Sequence, residues 1–312
     1  MEYIRNSTQL NTQLNSQVKK AYMVLGALLL SSITIAQMEL DDHLYNLYLE
    51  KTAGTTHQSQ AIRLPEYTLI QQRELSSVKY NASGITWNPQ TKTLFIVLNG
   101  PNEIVELSRD GEVLRHIPLI GFNDVEGITW VGKDNFVVVE ERHQSLVAVR
   151  VESDTTTIQR TGNPSFTVGI DSGTNKGFEG IAWDPESNAI YIAKERDPAR
   201  LMRIQGFHPG KVTDISVQQD DAFDKAARLY KDDFSGLHYD PATRNLLVLS
   251  DESKLLTEIN KEGKAVSFLE LAEGWHGLKQ DIPQAEGVTM DDDGNLYLIS
   301  EPNYFYKFSK PS

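Results

Sequence analysis

The chain has 312 residues, 30 lysines and arginines against 43 aspartates and glutamates, and no cysteine. A net charge of −13 argues against nonspecific nucleic-acid binding, which needs a basic face to displace counterions. Without cysteine there is no disulfide framework, no thiolate metal site, no cysteine nucleophile and no lipidated cysteine.

Residues 1–20 form a polar leader that ends in Lys19-Lys20. An uncharged run, AYMVLGALLLSSITIAQM, follows over residues 21–38, and Glu39, Asp41 and Asp42 come after it. Its length is marginal for a hydrocarbon core of about 30 Å, which takes roughly 20 residues. The basic pair in front keeps the N-terminus cytoplasmic and exports the rest. The expectation is one N-terminal transmembrane or signal helix over 21–38. It would be a single-pass anchor in the cell (inner) membrane, with the remainder periplasmic or otherwise extracytoplasmic. A cleaved signal peptide is the alternative, with Thr34-Ile35-Ala36 as small residues before Gln37, and it gives a secreted protein. A buried core helix is the third reading. Residues 39–63 read as a stalk: Leu40, Leu44 and Leu47 have helical spacing, and KTAGTTHQSQ reads as a linker.

From residue 64 onward an internal repeat governs the chain. The pattern small-or-acidic, Gly, aliphatic, any, large recurs as SGITW at 83, EGITW at 126, EGIAW at 179, SGLHY at 235 and EGVTM at 286. Each copy is followed by a turn rich in Asp, Asn, Pro and Gly (NPQTK, VGKDN, DPESN, DPATR, DDDGN), as hairpins require. A second strand comes next (LFIVLN, FVVVEE, IYIAKE, LLVLSD, LYLISE), then a third, and in most copies a fourth such as EVLRHIPL. The fold class is therefore all-β. Residues 64–312 are expected to form a five-bladed β-propeller of four-stranded antiparallel blades. The last repeat lacks a fourth strand, and YTLIQQREL (67–75) precedes the first. That segment is expected to supply the outer strand of the last blade and so remove a free edge. A β-sandwich with coincidental turns is the competing fold. Residues 220–233 read as a short helix between blades, and 273–284 as a loop.

In a propeller the first strand of each blade is innermost, and its start lies beside the end of the antiparallel second strand. The starts carry Ser83, Glu126, Glu179, Ser235 and Glu286. The ends carry Asn99, Glu141, Glu195, Asp251 and Glu301. Both columns should meet at one mouth of the central tunnel. Seven carboxylates crowded there must share protons, pair with cations or hold a metal. Hard oxygen ligands without His or Cys suit Ca²⁺. Arg142 and Lys194, beside Glu141 and Glu195, could instead make the ring a set of internal ion pairs. A proton-sharing catalytic cluster is the third reading. Asp291-Asp292-Asp293-Gly294-Asn295 resembles the start of a calcium loop, but the terminal Glu is missing and a hairpin turn fits it better. His143, His238 and His276 lack metal-ligand spacing. Trp87, Trp130 and Trp183 share one repeat position, which assigns them to packing between blades. No GxSxG elbow, HExxH or P-loop is present, and no catalytic residue can be named.

Several strings resemble the bacterial YjiK family, also called SdiA-regulated proteins. They are EER at 140, GFEG at 177, KE at 194, LSDES at 249, QAEGV at 284 and SEPN at 300, and the resemblance covers roughly residues 64–309. It implies a five-bladed propeller distantly similar to NHL-repeat proteins, with a calcium site, and no DNA binding. The family pattern matches Glu126, Glu141, Glu179, Glu195, Glu286 and Glu301. Asp251 or its neighbour Glu252 is the less secure match, and Asn99, Ser83 and Ser235 complete the ring. Two functions compete. One is a membrane-anchored, calcium-loaded module that binds a protein or small molecule at a propeller face, or senses Ca²⁺. The other is a calcium-dependent hydrolase of lactones or phosphoesters. A ring made mostly of Glu favours ion holding over open chemistry, so the reading leans away from an enzyme.

Overall fold

A computed structural model describes Lys20 and residues 61–169, 177–195, 199–209, 211–221, 223 and 233–311. The chain divides into two units, Met1–Thr52 and Ala53–Ser312, and the fold described belongs to the second. The leader, the expected helix at 21–38 and nearly all of the stalk lie outside the described residues, as does most of the expected helix at 220–233. No helix among the described residues is long and apolar enough to cross a membrane.

Five antiparallel sheets among the described residues form the blades of a β-propeller. Each inner strand is one copy of the repeat: Ala82–Asn88, Val125–Trp130, Phe178–Asp184, Gly236–Asp240 and Ala285–Met290. The turn after it is set by a side chain. Asn88, Asp184, Asp240 and Asp291 each accept a backbone N–H two residues on, which mimics a backbone turn. Lys92, Asn188, Arg244 and Gly294 then take a left-handed conformation. The acidic run at 291–295 is thus a hairpin turn.

Apolar residues fill the gaps between blades, and five separate core clusters correspond to five blade interfaces. Phe95 and Phe136, for example, join the first two blades at 4.7 Å between ring centroids. Closure of the ring is as the sequence implies. Thr68–Glu74 pairs antiparallel with Tyr304–Ser309 and is the outer strand of the last blade. Buried side chains secure the entering chain: Glu258 accepts the Ile62 N–H at 2.7 Å and Ser267 accepts that of Leu64 at 3.1 Å. The second blade departs from simple repetition. Its outer strand is Ser165–Thr167, while Ile158–Gln159 crosses to pair parallel with the outer strand of the first blade.

Around the axis, the repeat glycines let the blades touch backbone to backbone. A Cβ on Gly84 would lie 2.8 Å from the Cα of Gly127, and one on Gly127 would lie 2.3 Å from the Glu179 carbonyl oxygen. The same contact passes from Gly180 to Gly236, from Gly236 to Gly287, and from Gly287 back to Ser83. What remains on the axis is a cavity of about 10 Å³, roughly one water molecule. The glycine ring thus narrows the tunnel at its waist, between its two mouths.

Candidate metal centre

The carboxylates collect at the mouth where the inner strands begin. In four blades the first column sits at a β-bulge: the register slips between Ala82 and Ile85, Val125 and Gly127, Phe178 and Ile181, and Ala285 and Gly287. A bulge re-aims the side chain it contains. The second column is held by a recurrent hydrogen bond. The N–H groups of Asn99, Glu141, Glu195 and Glu301 donate to the carbonyls of Asn81, Asp124, Gly177 and Gln284, each two residues before its inner-column partner. The fourth blade differs, because the Asp233 side chain accepts the Asp251 N–H at 3.1 Å.

Two groups of three carboxylates each have ligand oxygens within 4.8 Å of one another: Glu141, Glu179 and Glu195; and Asp124, Glu126 and Glu141. Glu141 belongs to both. Asp124 is absent from the expected ring. Its signal was the polar residue two positions before four of the five first-column residues (Asn81, Asp124, Asp233, Gln284), the exception being Gly177 before Glu179. Three of these, Asn81, Asp124 and Gln284, hold a left-handed backbone.

Electrostatics join the remaining ring members. Burial pushes the Glu179 carboxyl well above its ordinary value, and the charges of Glu286, Glu195, Glu126 and Glu141 add to it. Burial, then Glu126, Glu301 and Asp251, push Glu286 up to about 9. Glu141 is pushed up to about 7 by burial, opposed by the Gly177 N–H and assisted by Glu126 and Asp124. Glu126 is raised by burial although Asn99 (2.5 Å) and Ser83 (2.7 Å) donate to it. Burial alone raises Glu301.

The other expected members have local partners. Asp251 pairs with Lys254 at 2.5 Å and accepts the Ala285 N–H at 3.0 Å. Glu252 belongs to neither group of three. The Ser235 hydroxyl donates to the Ala285 carbonyl at 2.7 Å. Arg142 pairs with Asp124 at 2.6 Å, not with Glu141. Among the described residues, none of Glu126, Glu141, Glu179, Glu286 and Glu301 is ion-paired. The donor set is all oxygen and carries excess negative charge in a half-dry mouth, which fits a hard divalent cation.

The SdiA-regulated family model matches residues 59–309. The chain belongs to the SdiA-regulated family. Among solved structures it is similar to virginiamycin B lyase from Staphylococcus aureus, at 15% identity and a TM-score of 0.43, over 75% of this chain and 68% of that one. A gluconolactonase from Xanthomonas campestris matches at 11% identity and 0.45, over 81% and 93%. A chain of a nidogen/laminin complex matches at 17% and 0.46, over 71% and 73%. Likeness this remote carries no argument about activity.

Proposed function

We propose that this SdiA-regulated propeller is a calcium-binding module. Glu141, Glu179 and Glu195 would hold the ion, with Asp124, Glu126 and Glu286 around it. The observation that carries this reading is the shared Glu141, which links two groups of close carboxylates that have no paired cation among Glu126, Glu141 and Glu179. At about 5 Å and an effective dielectric near 20, two such charges repel by about 3 kcal/mol. A bound Ca²⁺ reverses the sign of that term. The charge pattern around residues 21–38 supports an anchor that places the propeller outside the cytoplasm, where it would recruit a partner or respond to Ca²⁺. The test is the metal content of the purified full chain by mass spectrometry, with melting in Ca²⁺ and in EDTA. Calcium near one equivalent and a higher Tm in Ca²⁺ are expected. Equal melting and no metal would overturn the reading.

A second reading, a calcium-dependent hydrolase, draws on Glu141 alone. In the metal-free protein burial pushes that carboxyl up to about 7, and to act as a base it would have to stand beside the ion without ligating it. Turnover of lactones or aryl phosphates that Ca²⁺ supports, and that Glu141→Gln abolishes while the calcium-dependent rise in Tm persists, would favour it.

A further inference from the structure

A cavity of about 590 Å³ opens at the other mouth, where the inner strands end. The inner strands, five to seven residues long, span about 13–20 Å, and the narrow waist lies between this cavity and the carboxylates. Its walls are the last repeat position, which places Trp87, Trp130, Trp183, Tyr239 and Met290 around one opening. These residues also pack between blades, as their shared repeat position implied.

We propose that this cavity binds an uncharged or cationic small molecule with an aromatic or alicyclic body and a hydrogen-bond acceptor at its buried end. The volume falls within the range of roughly 300–1,000 Å³ that small-molecule sites occupy. The Trp130 and Trp183 indole N–H groups donate away to Lys133 and Asn188, so these two rings offer the cavity apolar surface. Trp87 differs. It is only 8% exposed, and its indole N–H is buried without a partner. An unmet buried donor costs about 1–3 kcal/mol, and because this one has no accessible surface a ligand acceptor would recover it only after a small turn of the ring.

Of the other polar groups, Thr86 shares that bias. The Thr86 hydroxyl accepts the backbone N–H of Trp130 at 3.1 Å, and the Thr289 hydroxyl accepts the backbone N–H of Trp87 at 3.2 Å. The Thr86 hydroxyl keeps its hydrogen to give, whereas that of Thr289 is within hydrogen-bond reach of His238 Nδ1. His238, whose ring lies 3.4 Å from the Thr289 hydroxyl, is lowered to about 4 by burial and is neutral at pH 7. The rim sets the charge preference. Asp292 stands exposed there, Asp240 folds back onto its own turn, and Lys310 is already engaged over the Tyr67 ring at 5.3 Å. An anion would meet these carboxylates.

The probe is Nile red, an uncharged dye with a carbonyl acceptor, titrated into the full chain and read by its own emission. Saturable binding at one site per chain is expected, at least tenfold tighter than that of the anionic 8-anilinonaphthalene-1-sulfonate. Ala242 is exposed at the rim, so Ala242→Trp should fold normally, obstruct the opening and weaken binding at least tenfold. Melting curves check the fold. Asp154→Asn, on an exposed turn outside the cavity lining, should leave affinity unchanged. Absence of a saturable signal, a twofold or smaller effect of Ala242→Trp in folded protein, or equal binding of the sulfonate would overturn the proposal.

Discussion

Gly127 shows how tightly the axis is built. A methyl group there would overlap the Glu179 carbonyl, a backbone atom that cannot move without displacing the neighbouring blade. Overpacking of this kind costs about 1–3 kcal/mol. Gly127→Ala should lower the free energy of unfolding in urea by that amount. Gly169→Ala, with open space around its Cβ, should change it little. The raised carboxyls make a second prediction at this scale. Glu141 and Glu286 rise from an ordinary value of 4.5 to about 7 and about 9, so the folded state binds protons that the unfolded state has released. Their contribution to stability is full below about 4.5 and is lost as pH rises through about 7 and about 9. In EDTA the Tm should therefore fall from pH 5 to pH 9. Glu286→Gln should flatten the upper part of that fall. A Tm that climbs with pH in the metal-free protein would count against the crowding of these groups.

Strands, rather than single residues, close the ring. Thr68–Glu74 covers the edge of Tyr304–Ser309, whose Phe305 and Phe308 are fully buried. A chain starting at residue 76 would expose that edge and these rings. It should sediment as concentration-dependent oligomers and be cut by trypsin at Lys307, whereas the full chain should resist cleavage there. This strand was legible from the missing fourth strand of the last repeat. The inner strands were legible from a glycine, an aliphatic and a large residue recurring at fixed offsets. The bulges were not, because a bulge leaves no residue type of its own in the sequence. Asp124 lies before the repeat, and its one mark in the sequence is the polar residue two positions ahead of four of the five first-column residues. The cavity was hidden for a different reason: at a propeller mouth, the same large side chain packs between blades and lines the opening. His238 follows the same logic, because nothing in HYD distinguishes a ring facing a cavity from one facing solvent.

Across the whole molecule, the acidic balance is spent unevenly. Six carboxylates, Asp124, Glu126, Glu141, Glu179, Glu195 and Glu286, carry the proposed cation site at one mouth, while aromatic rings dominate the other. The waist between them holds a void of about 10 Å³ and a ring of backbone contacts. Backbone packed this closely against backbone leaves the waist little room to move. Events at one mouth should then leave the other unmoved. The measurement is a thermodynamic cycle with Glu179→Gln and Ala242→Trp, singly and together, melted in urea with Ca²⁺ present. Sites this far apart that share no partner add to within about 0.5 kcal/mol. The double variant should match the sum of the singles to that precision. Ala242→Trp alone should also leave the calcium-dependent rise in Tm intact. A coupling well above that limit would mean that the glycine ring transmits strain, and the two mouths would then have to be treated as one allosteric unit.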